Sequence, residues 1–136
     1  MNKFDQTEFG ADGNCVQACI ATLLGASKLD DVPSFLWVDE DKTQKKGSHE
    51  FWEAVDDYLT EKGLVRLMKG NNYYPECHYL VSGKTERGTS HMVVMFEDKL
   101  VHDPHPSRAG LIQRDITHLV IPINLATYKG INNETS

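Results

Sequence analysis

The hydrophobic pattern of this chain changes at Gly63, and that change limits the folds the chain can adopt. Before Gly63, apolar side chains recur at helical spacing in residues 15–24 and 48–62. After Gly63, the apolar residues fall into short β-like runs separated by Gly, Pro, Asn and acidic turns. These runs are residues 64–68, 78–82, 91–96, 100–103 and 118–123. Helices followed by strands are typical of an α+β fold, so we predict N-terminal helices packed on a mainly antiparallel β-sheet.

Both predicted helices have recognisable ends. Asp12 or Asn14 can cap the first helix, and Gly25 can end it. Ser48 can cap the second helix, which stops before Gly63. The first helix carries a continuous apolar stripe, so we expect it to be buried.

The length of 136 residues corresponds to one ordinary domain. We predict a single domain over residues 1–127 and a flexible tail over residues 128–136, because the last residues are polar and chain ends fray unless contacts hold them. The sequence indicates no particular oligomeric state.

The charge and hydropathy of the chain argue against two classes of partner. A formal net charge of −6 disfavours nucleic acid, since phosphate binding needs concentrated Lys and Arg. No stretch approaches the ~18 consecutive apolar residues of a membrane span, and the N-terminus lacks an apolar signal region. We therefore expect a cytoplasmic protein that binds neither nucleic acid nor membrane.

Three cysteines lead to the main functional hypothesis. Cys15 and Cys19 lie one helical turn apart and the total is odd, so reduced thiols are expected rather than a disulfide framework. Cys19 lies on the apolar stripe and fits a buried structural thiol. Cys15 instead follows the polar turn Asp12-Gly13-Asn14 and opens the first helix. The free N–H groups of a helix N-terminus can lower a thiol pKa to roughly 3.5–7.5, so we predict a reactive thiolate at Cys15.

Two downstream residues can complete a catalytic set with Cys15. His91 stands near the start of one β-like run, and Asp103 ends the next run, just before Pro104. Proline cannot continue the ladder of a central strand, so Asp103 is expected at a strand end. A thiol nucleophile needs an imidazole base and a third group that orients the imidazole. We therefore predict a triad of Cys15, His91 and Asp103.

The loop between these two runs decides whether His91 can face Asp103, because the side chains of a strand alternate between faces. An odd loop, such as residues 96–98, places His91 opposite Asp103. A two-residue loop at residues 97–98 places His102 on the face of His91 instead, and the triad then requires a β-bulge.

The oxyanion of a tetrahedral intermediate needs hydrogen-bond donors beside the nucleophile. The backbone N–H of Cys15 is one candidate. The side-chain amide of Gln6, upstream of Cys15, is the second candidate. The alternative for Gln6 is an ordinary surface glutamine.

The spacing of the cysteines and histidines along the chain does not indicate a metal site. Cys15 and Cys19 are one helical turn apart, and Cys77 directly precedes His78, whereas zinc sites use other spacings. We predict neither a metal nor another cofactor. His105 is close enough to the predicted triad to line its cleft. The histidines without a comparable partner in the sequence are His49, His78, His105 and His118.

In the order of its motifs the chain resembles the papain-like cysteine peptidase superfamily, in particular the small bacterial branch of bacteriocin-leader, or double-glycine, peptidases. The matching features are Gln6, Gly13-Asn14-Cys15 at a helix start, His91-Met92-Val93-Val94 and His102-Asp103-Pro104. The stretch from Arg87 to Leu111 also resembles small proteins of phages and bacteria. The resemblance implies a helix packed on an antiparallel sheet. The roles it implies are nucleophile for Cys15, base for His91, orienting group for Asp103 and oxyanion donor for Gln6.

These observations predict a thiol-dependent hydrolase that cleaves an amide, peptide or isopeptide bond of a peptide or protein substrate through a thioester intermediate. Deamidation or acyl transfer would use the same groups. The alternative is a non-catalytic papain-like interaction protein, such as a phage-encoded factor that binds a host protein. Thiol reactivity separates the two, because only the enzyme requires Cys15 to react faster than Cys19 and Cys77.

Overall fold

The structure, a computed structural model, describes residues 1–70 and 72–123, and this part contains two α-helices and five β-strands. The helices are α1 (Cys15–Leu24) and α2 (Ser48–Glu61). The strands are β1 (Leu64–Lys69), β2 (His78–Lys84), β3 (Ser90–Phe96), β4 (Lys99–His102) and β5 (Gln113–Pro122). The predicted tail over residues 128–136 lies outside the described residues, as does the end of the predicted domain over residues 1–127.

The five strands form one antiparallel sheet in the order β1-β5-β2-β3-β4. The α+β prediction of helices packed on a mainly antiparallel sheet is therefore confirmed. The last strand, β5, pairs with both β1 and β2, and it begins earlier than the predicted run at 118–123. Its first residues, Gln113, Arg114 and Asp115, are polar, so no apolar alternation marks them in the sequence.

Both helices pack on the same side of the sheet, α1 against β3 and α2 against β1. The core between the helices and the sheet contains the buried side chains of Cys19, Ile20, Val55, Leu59, Leu80, Met92 and Val94. Each Å² of apolar surface removed from water contributes roughly 25 cal/mol, so this layer is the main reason why α1 stays against β3. That contact matters for the site, because α1 begins at Cys15 and β3 contains His91.

The helix ends differ partly from prediction. Gly25 ends α1 as predicted, with a φ of 71° and its N–H directed at the carbonyl oxygens of the last turn. Asn14 occupies the cap position of α1, but its side chain makes no capping hydrogen bond. Ser48 is the first residue of α2 rather than its cap, which is Gly47. No helix in the described part of the chain is long and apolar enough to cross a membrane.

The β3–β4 hairpin contains a two-residue turn and a bulge. Phe96 pairs with Lys99 and Met95 with Leu100, so residues 97–98 form the turn. The register then shifts, because Val94 pairs with His102 and leaves one extra residue in β4. The odd loop at 96–98 is therefore wrong, and the alternative of a two-residue turn with a bulge is the one observed.

Candidate active site

Cys15 is the first residue of α1, and its side chain is partly exposed. Three backbone N–H groups face its sulfur, those of Met92, Val16 and Cys15 itself. Two of these belong to the unpaired first turn of the helix, where N–H groups have no carbonyl partner within the helix. The third comes from β3, so the sulfur lies at the junction between the helix and the sheet.

The structure does not support the prediction of a resting thiolate at Cys15. Burial raises the pKa of this thiol, and the three backbone N–H groups lower it by less, so the pKa lies above its ordinary value. Desolvation outweighs the helix N-terminus because an anionic sulfur would lose most of its water shell. Cys15 is therefore a neutral thiol at pH 7, and its ionisation requires a base.

His91 and Asp103 form a buried hydrogen-bonded pair. His91 Nε2 lies 2.7 Å from Asp103 Oδ1, and the two residues are 6% and 2% exposed. Asp103 also accepts hydrogen bonds from the N–H groups of His105, at 2.9 Å, and Gly110, at 2.7 Å. Burial raises the pKa of Asp103, but these hydrogen bonds outweigh it and hold the pKa below its ordinary value. The carboxylate is therefore ionised at neutral pH and orients the imidazole.

The pairing with Asp103 determines which nitrogen of His91 can act as a base. Because Nε2 donates to the carboxylate, Nδ1 is the nitrogen that can accept a proton. In the described residues no hydrogen bond joins Nδ1 to the Cys15 sulfur. The sulfur instead faces the N–H of Met92, the residue that directly follows His91. The structure thus brings Cys15 to the strand position beside His91 without direct hydrogen-bond contact.

Gln6 is buried, with 8% of its surface exposed, so the alternative of an ordinary surface glutamine is wrong. Its backbone N–H donates to the carbonyl of Pro104 at 3.0 Å, and its side-chain Nε2 donates to the carbonyl of Glu8 at 2.9 Å. The amide also lies close to Gly13, two residues before Cys15. One of its two amide protons is used by Glu8, which leaves the second for a ligand beside the helix N-terminus.

Asn14 is a positioning residue that the sequence pattern does not reveal. Its Oδ1 accepts the N–H groups of Thr7 and Glu8, both at 2.9 Å, and its Nδ2 donates to Thr7 Oγ1 and Gln17 Oε1. The side chain therefore ties the segment after Gln6 to the start of α1. An asparagine in a turn before a helix signals only a cap, so this role could not be found from sequence.

The segment around Gln6 is held from the other side by residues of β4 and the following loop. His102 Nε2 donates to the carbonyl of Phe4 at 2.7 Å. The Arg108 guanidinium contacts both carboxylate oxygens of Asp5, at 2.6 and 2.8 Å, and also donates to the carbonyl of Asp103. His102 therefore points away from the pair formed by His91 and Asp103 and stabilises the N-terminal segment.

His105 lies at the rim of the site. Its ring is edge-on to the ring of His91, with centroids 6.2 Å apart, and also edge-on to the ring of Phe9, with centroids 5.4 Å apart. Its Nδ1 accepts the N–H of Ser107, which leaves Nε2 as the protonated nitrogen of the neutral ring. Burial and the charge of Arg87 lower the pKa of His105, so the ring is neutral at pH 7.

The other two cysteines do not join the site as ligands. Cys19 is fully buried and its Sγ contacts the carbonyl of Met92 at 3.3 Å, and burial raises its pKa well above the ordinary value. Cys77 is exposed and precedes β2, at the end of the β2–β3 hairpin where His78 pairs with Phe96. Within residues 1–70 and 72–123, no three His, Cys, Asp or Glu side chains are grouped so that they could hold a metal ion.

The arrangement offers a thiol, an imidazole with an oriented carboxylate, and amide donors at one helix N-terminus. Such a set can transfer an acyl group to sulfur and then to water.

Comparisons of this chain with known protein families, with curated proteins and with solved structures found no match.

Proposed function

We propose that this chain is a papain-like cysteine hydrolase that acts on an amide, peptide or isopeptide bond. The observation that carries the proposal is the buried pair of His91 and Asp103, 2.7 Å apart, beside the helix N-terminus that bears Cys15. Burying an imidazole and a carboxylate costs desolvation free energy that apolar side chains would avoid. Titratable groups arranged in this way next to a partly exposed thiol are typical of a functional site.

In the first step, His91 Nδ1 removes the proton of Cys15 as the sulfur attacks the substrate carbonyl carbon. The raised pKa of Cys15 means that this transfer accompanies attack rather than precedes it. The step requires Nδ1 to approach the sulfur once substrate is bound, and catalytic hydrogen bonds often tighten only then. Asp103 stabilises the imidazolium that forms.

The oxyanion then forms beside the start of α1. The N–H of Cys15 and the second amide proton of Gln6 are the donors available to it. His91 gives its proton to the leaving amine as the C–N bond breaks, which leaves a thioester on Cys15. Water attacks the thioester, His91 takes a proton from it, and the acid product and free thiol are released.

A peptide or protein substrate fits these groups, and the cytoplasm suits an enzyme whose three cysteines are free thiols. The same groups would support deamidation or acyl transfer, because those reactions share the thioester. They differ in which nucleophile resolves it and in whether the leaving group is ammonia or an amine.

A peptide library derived from a bacterial proteome tests the proposal. We expect wild-type protein to generate cleaved or deamidated peptides, detected by mass spectrometry, and both Cys15→Ala and His91→Ala to generate none. Asp41→Ala, at an exposed loop position, is the matched control and should behave as wild type. The proposal would be overturned if neither wild type nor Cys15→Ala generates products, or if both generate the same products.

The second candidate is the non-catalytic interaction protein, and the observation that favours it is the raised pKa of Cys15. Alkylation by iodoacetamide at pH 7 separates the two candidates. For the enzyme, His91→Ala should slow the alkylation of Cys15 at least about tenfold, because it removes the base that takes the thiol proton during attack, and it should leave the alkylation of the exposed Cys77 unchanged. Cys19 should stay unmodified in both proteins because it is fully buried. A Cys15 that is alkylated at the same rate with and without His91 favours the interaction protein.

A further inference from the structure

The loop after β4 meets the β2–β3 hairpin at the rim of the candidate site. Arg87 Nη1 donates to Ser107 Oγ at 3.3 Å, and Ser107 Oγ lies 2.9 Å from His105 Nδ1. The ring of His105 in turn lies edge-on to the ring of His91, with centroids 6.2 Å apart. A short series of contacts therefore connects the Arg87 guanidinium to the proposed base.

The turn of the β2–β3 hairpin holds the backbone of Arg87 in place. The N–H of Gly88 donates to the carbonyl of Thr85 at 2.9 Å, and the N–H of Thr85 donates to the carbonyl of Thr89 at 3.0 Å. Thr85 is fully buried, and its hydroxyl lies 2.8 Å from that of Thr89. Arg87 thus stands on a preorganised support, which lowers the cost of ordering it around a ligand.

The contacts of His105 leave one N–H donor open. Its Nδ1 accepts from the backbone N–H of Ser107 at 3.0 Å, so Nε2 carries the proton of the neutral ring. Among the described residues no group accepts from this Nε2–H, and the ring is partly exposed. The backbone N–H of His105 donates to the Asp103 carboxylate, which holds this residue beside the pair of His91 and Asp103. His105 can therefore donate to a ligand but cannot act as a second base.

Arg87 has no carboxylate partner in the described part of the chain, where its guanidinium contacts only the neutral hydroxyl of Ser107. Arg108, the other guanidinium of the rim, is already paired with both carboxylate oxygens of Asp5. The Asp103 carboxylate is 2% exposed and accepts three N–H groups, so it is not available to Arg87. The charge of Arg87 therefore remains open to an anion from outside the chain.

The two donors fit a carboxylate better than a neutral group or a cation. A guanidinium binds a carboxylate through charge-assisted, often bidentate, hydrogen bonds, which are stronger than those to a neutral carbonyl. A cation would be repelled by Arg87 and could not accept from the Nε2–H of His105. Glu86, the neighbour of Arg87 in the turn, is exposed and forms no ion pair with it in the described residues.

Resting on the proposed function, we infer that Arg87 and His105 bind a carboxylate of the substrate close to the bond that Cys15 attacks. We refer to these two residues as the carboxylate subsite. Its location follows from the contact between the rings of His105 and His91, the base of the proposed mechanism. The carboxylate can belong to an acidic side chain or to the C-terminus of a peptide, since both present the same two oxygens.

Binding to Cys15→Ala protein tests the carboxylate subsite without any need for turnover. One pair of probes is the N-acetyl, N′-methylamide derivatives of glutamate and glutamine. The other pair is N-acetylalanine and its amide, which differ in a terminal carboxylate. All four are titrated into ¹⁵N-labelled protein at pH 7.

We expect at least one carboxylate probe to shift the amide resonances of Arg87, His105 and Ser107 saturably. It should bind at least about tenfold more tightly than its neutral counterpart. The pair that shows this difference identifies the source of the carboxylate. The inference is overturned if neither carboxylate probe binds more tightly than its counterpart, or if the saturable shifts lie away from these three residues.

Variants of the two donors assign the binding. Arg87→Gln should weaken the carboxylate probe at least about tenfold, whereas Arg87→Lys should keep part of the affinity because it retains the charge without the planar fork. Lys28→Gln, at an exposed lysine of another loop, is the matched control and should leave the affinity unchanged. His105→Phe retains an aromatic ring but removes the Nε2–H, and it should weaken the probe about fivefold. Equal affinities with Arg87 and with Arg87→Gln would contradict the inference.

Failure of this inference and failure of the proposed function give different results. If the peptide-library experiment yields no products while the carboxylate probes bind through Arg87, only the hydrolase proposal is lost. If products form but the carboxylate probes bind no better than the neutral ones, the hydrolase proposal stands and the carboxylate subsite is rejected.

Discussion

The His91 ring reaches Asp103 because β4 contains one residue more than the part of β3 that it pairs with. With an uninterrupted register after the two-residue turn, His102 would lie opposite Val93, on the face of His91. The bulge moves His102 opposite Val94, so the next residue, Asp103, takes the face of His91 instead. The one extra residue in β4 therefore places the carboxylate of Asp103, instead of the imidazole of His102, beside His91.

Replacing Asp103 should reduce both stability and thiol reactivity. Asp103→Ala leaves His91 Nε2–H and the N–H groups of His105 and Gly110 without their acceptor. We expect a loss of about 3 kcal/mol in the free energy of unfolding, measured with urea, because buried donors are costly to leave unpaired. Alkylation of Cys15 should slow in parallel.

Asp41→Ala is the matched control for this substitution, since Asp41 is an exposed loop residue. Its unfolding free energy should stay within about 0.5 kcal/mol of wild type. A stability of Asp103→Ala equal to that of Asp41→Ala would show that the three hydrogen bonds do not form in solution.

The depressed pKa of His118 predicts a loss of stability in mild acid. Burial and the charge of Arg66 lower the pKa of His118 to about 4 in the folded protein, whereas its ordinary value, which applies to the unfolded chain, is 6.5. Between these values the unfolded state holds more protons, so the free energy of unfolding falls as the pH falls. The contribution of His118 should amount to about 2 kcal/mol between pH 8 and pH 5.

Urea unfolding of wild type and His118→Gln across this pH range measures that contribution as a difference in slope. His118→Gln should be less stable at pH 8 but lose less stability on acidification. His49→Ala, at a highly exposed histidine, should keep the wild-type slope. Parallel pH profiles for wild type and His118→Gln would mean that His118 is not buried as a neutral ring. Asp103 does not confuse the comparison, because its lowered pKa costs stability only below about pH 5.

Gly83 should not tolerate a side chain. A Cβ at this position would lie 1.9 Å from the carbonyl oxygen of Gln113, which is backbone and cannot rotate away. We expect Gly83→Ala to reduce the free energy of unfolding by about 3 kcal/mol, since overpacking forces the strands apart. Gly70→Ala is the control because no atom would approach its Cβ within 4 Å. Equal stabilities of the two alanine variants would rule out the close β2–β5 approach.

Asn14 should stabilise the segment that carries Gln6. Asn14→Ala removes the acceptor for the N–H groups of Thr7 and Glu8 and the donor to Gln17. We expect a loss of about 1–2 kcal/mol in the free energy of unfolding and faster hydrogen exchange at the amides of Thr7 and Glu8. Asn2→Ala, at an exposed asparagine, should change neither quantity appreciably. Unaltered hydrogen exchange at Thr7 and Glu8 in Asn14→Ala would show that the Asn14 side chain does not stabilise the segment that carries Gln6.

Several parts of the fold follow from local patterns. The helical stripes predict α1 and α2, and most of each strand is found where a β-like run stands. The start of β5 is the exception, because its polar first residues are chosen by pairing with β2 and not by burial of an apolar face. The register of the β3–β4 hairpin is a second exception, because no glycine or proline within β4 marks the bulge.

The candidate site likewise combines features that the sequence predicts with features that only contacts between distant segments determine. The sequence predicts Cys15 at a helix start, but the thiol pKa depends on how much of its water shell β3 removes, which is a contact between distant segments. Outside the site, a hydrogen-bonded network of Arg66, His118 and Ser82 joins three strands, and no spacing in the chain reveals it.

The amino-acid sequence by itself determined the order of helices and strands, the end of α1 at Gly25 and the position of Cys15 at a helix start. These are local properties, set by hydrophobic period and backbone preference over a few residues. Only the tertiary structure decided that Asp103 rather than His102 meets His91, that Cys15 is a neutral thiol and that Ser107 connects Arg87 to His105. Register and desolvation decide such features, and both depend on contacts between residues far apart in the chain.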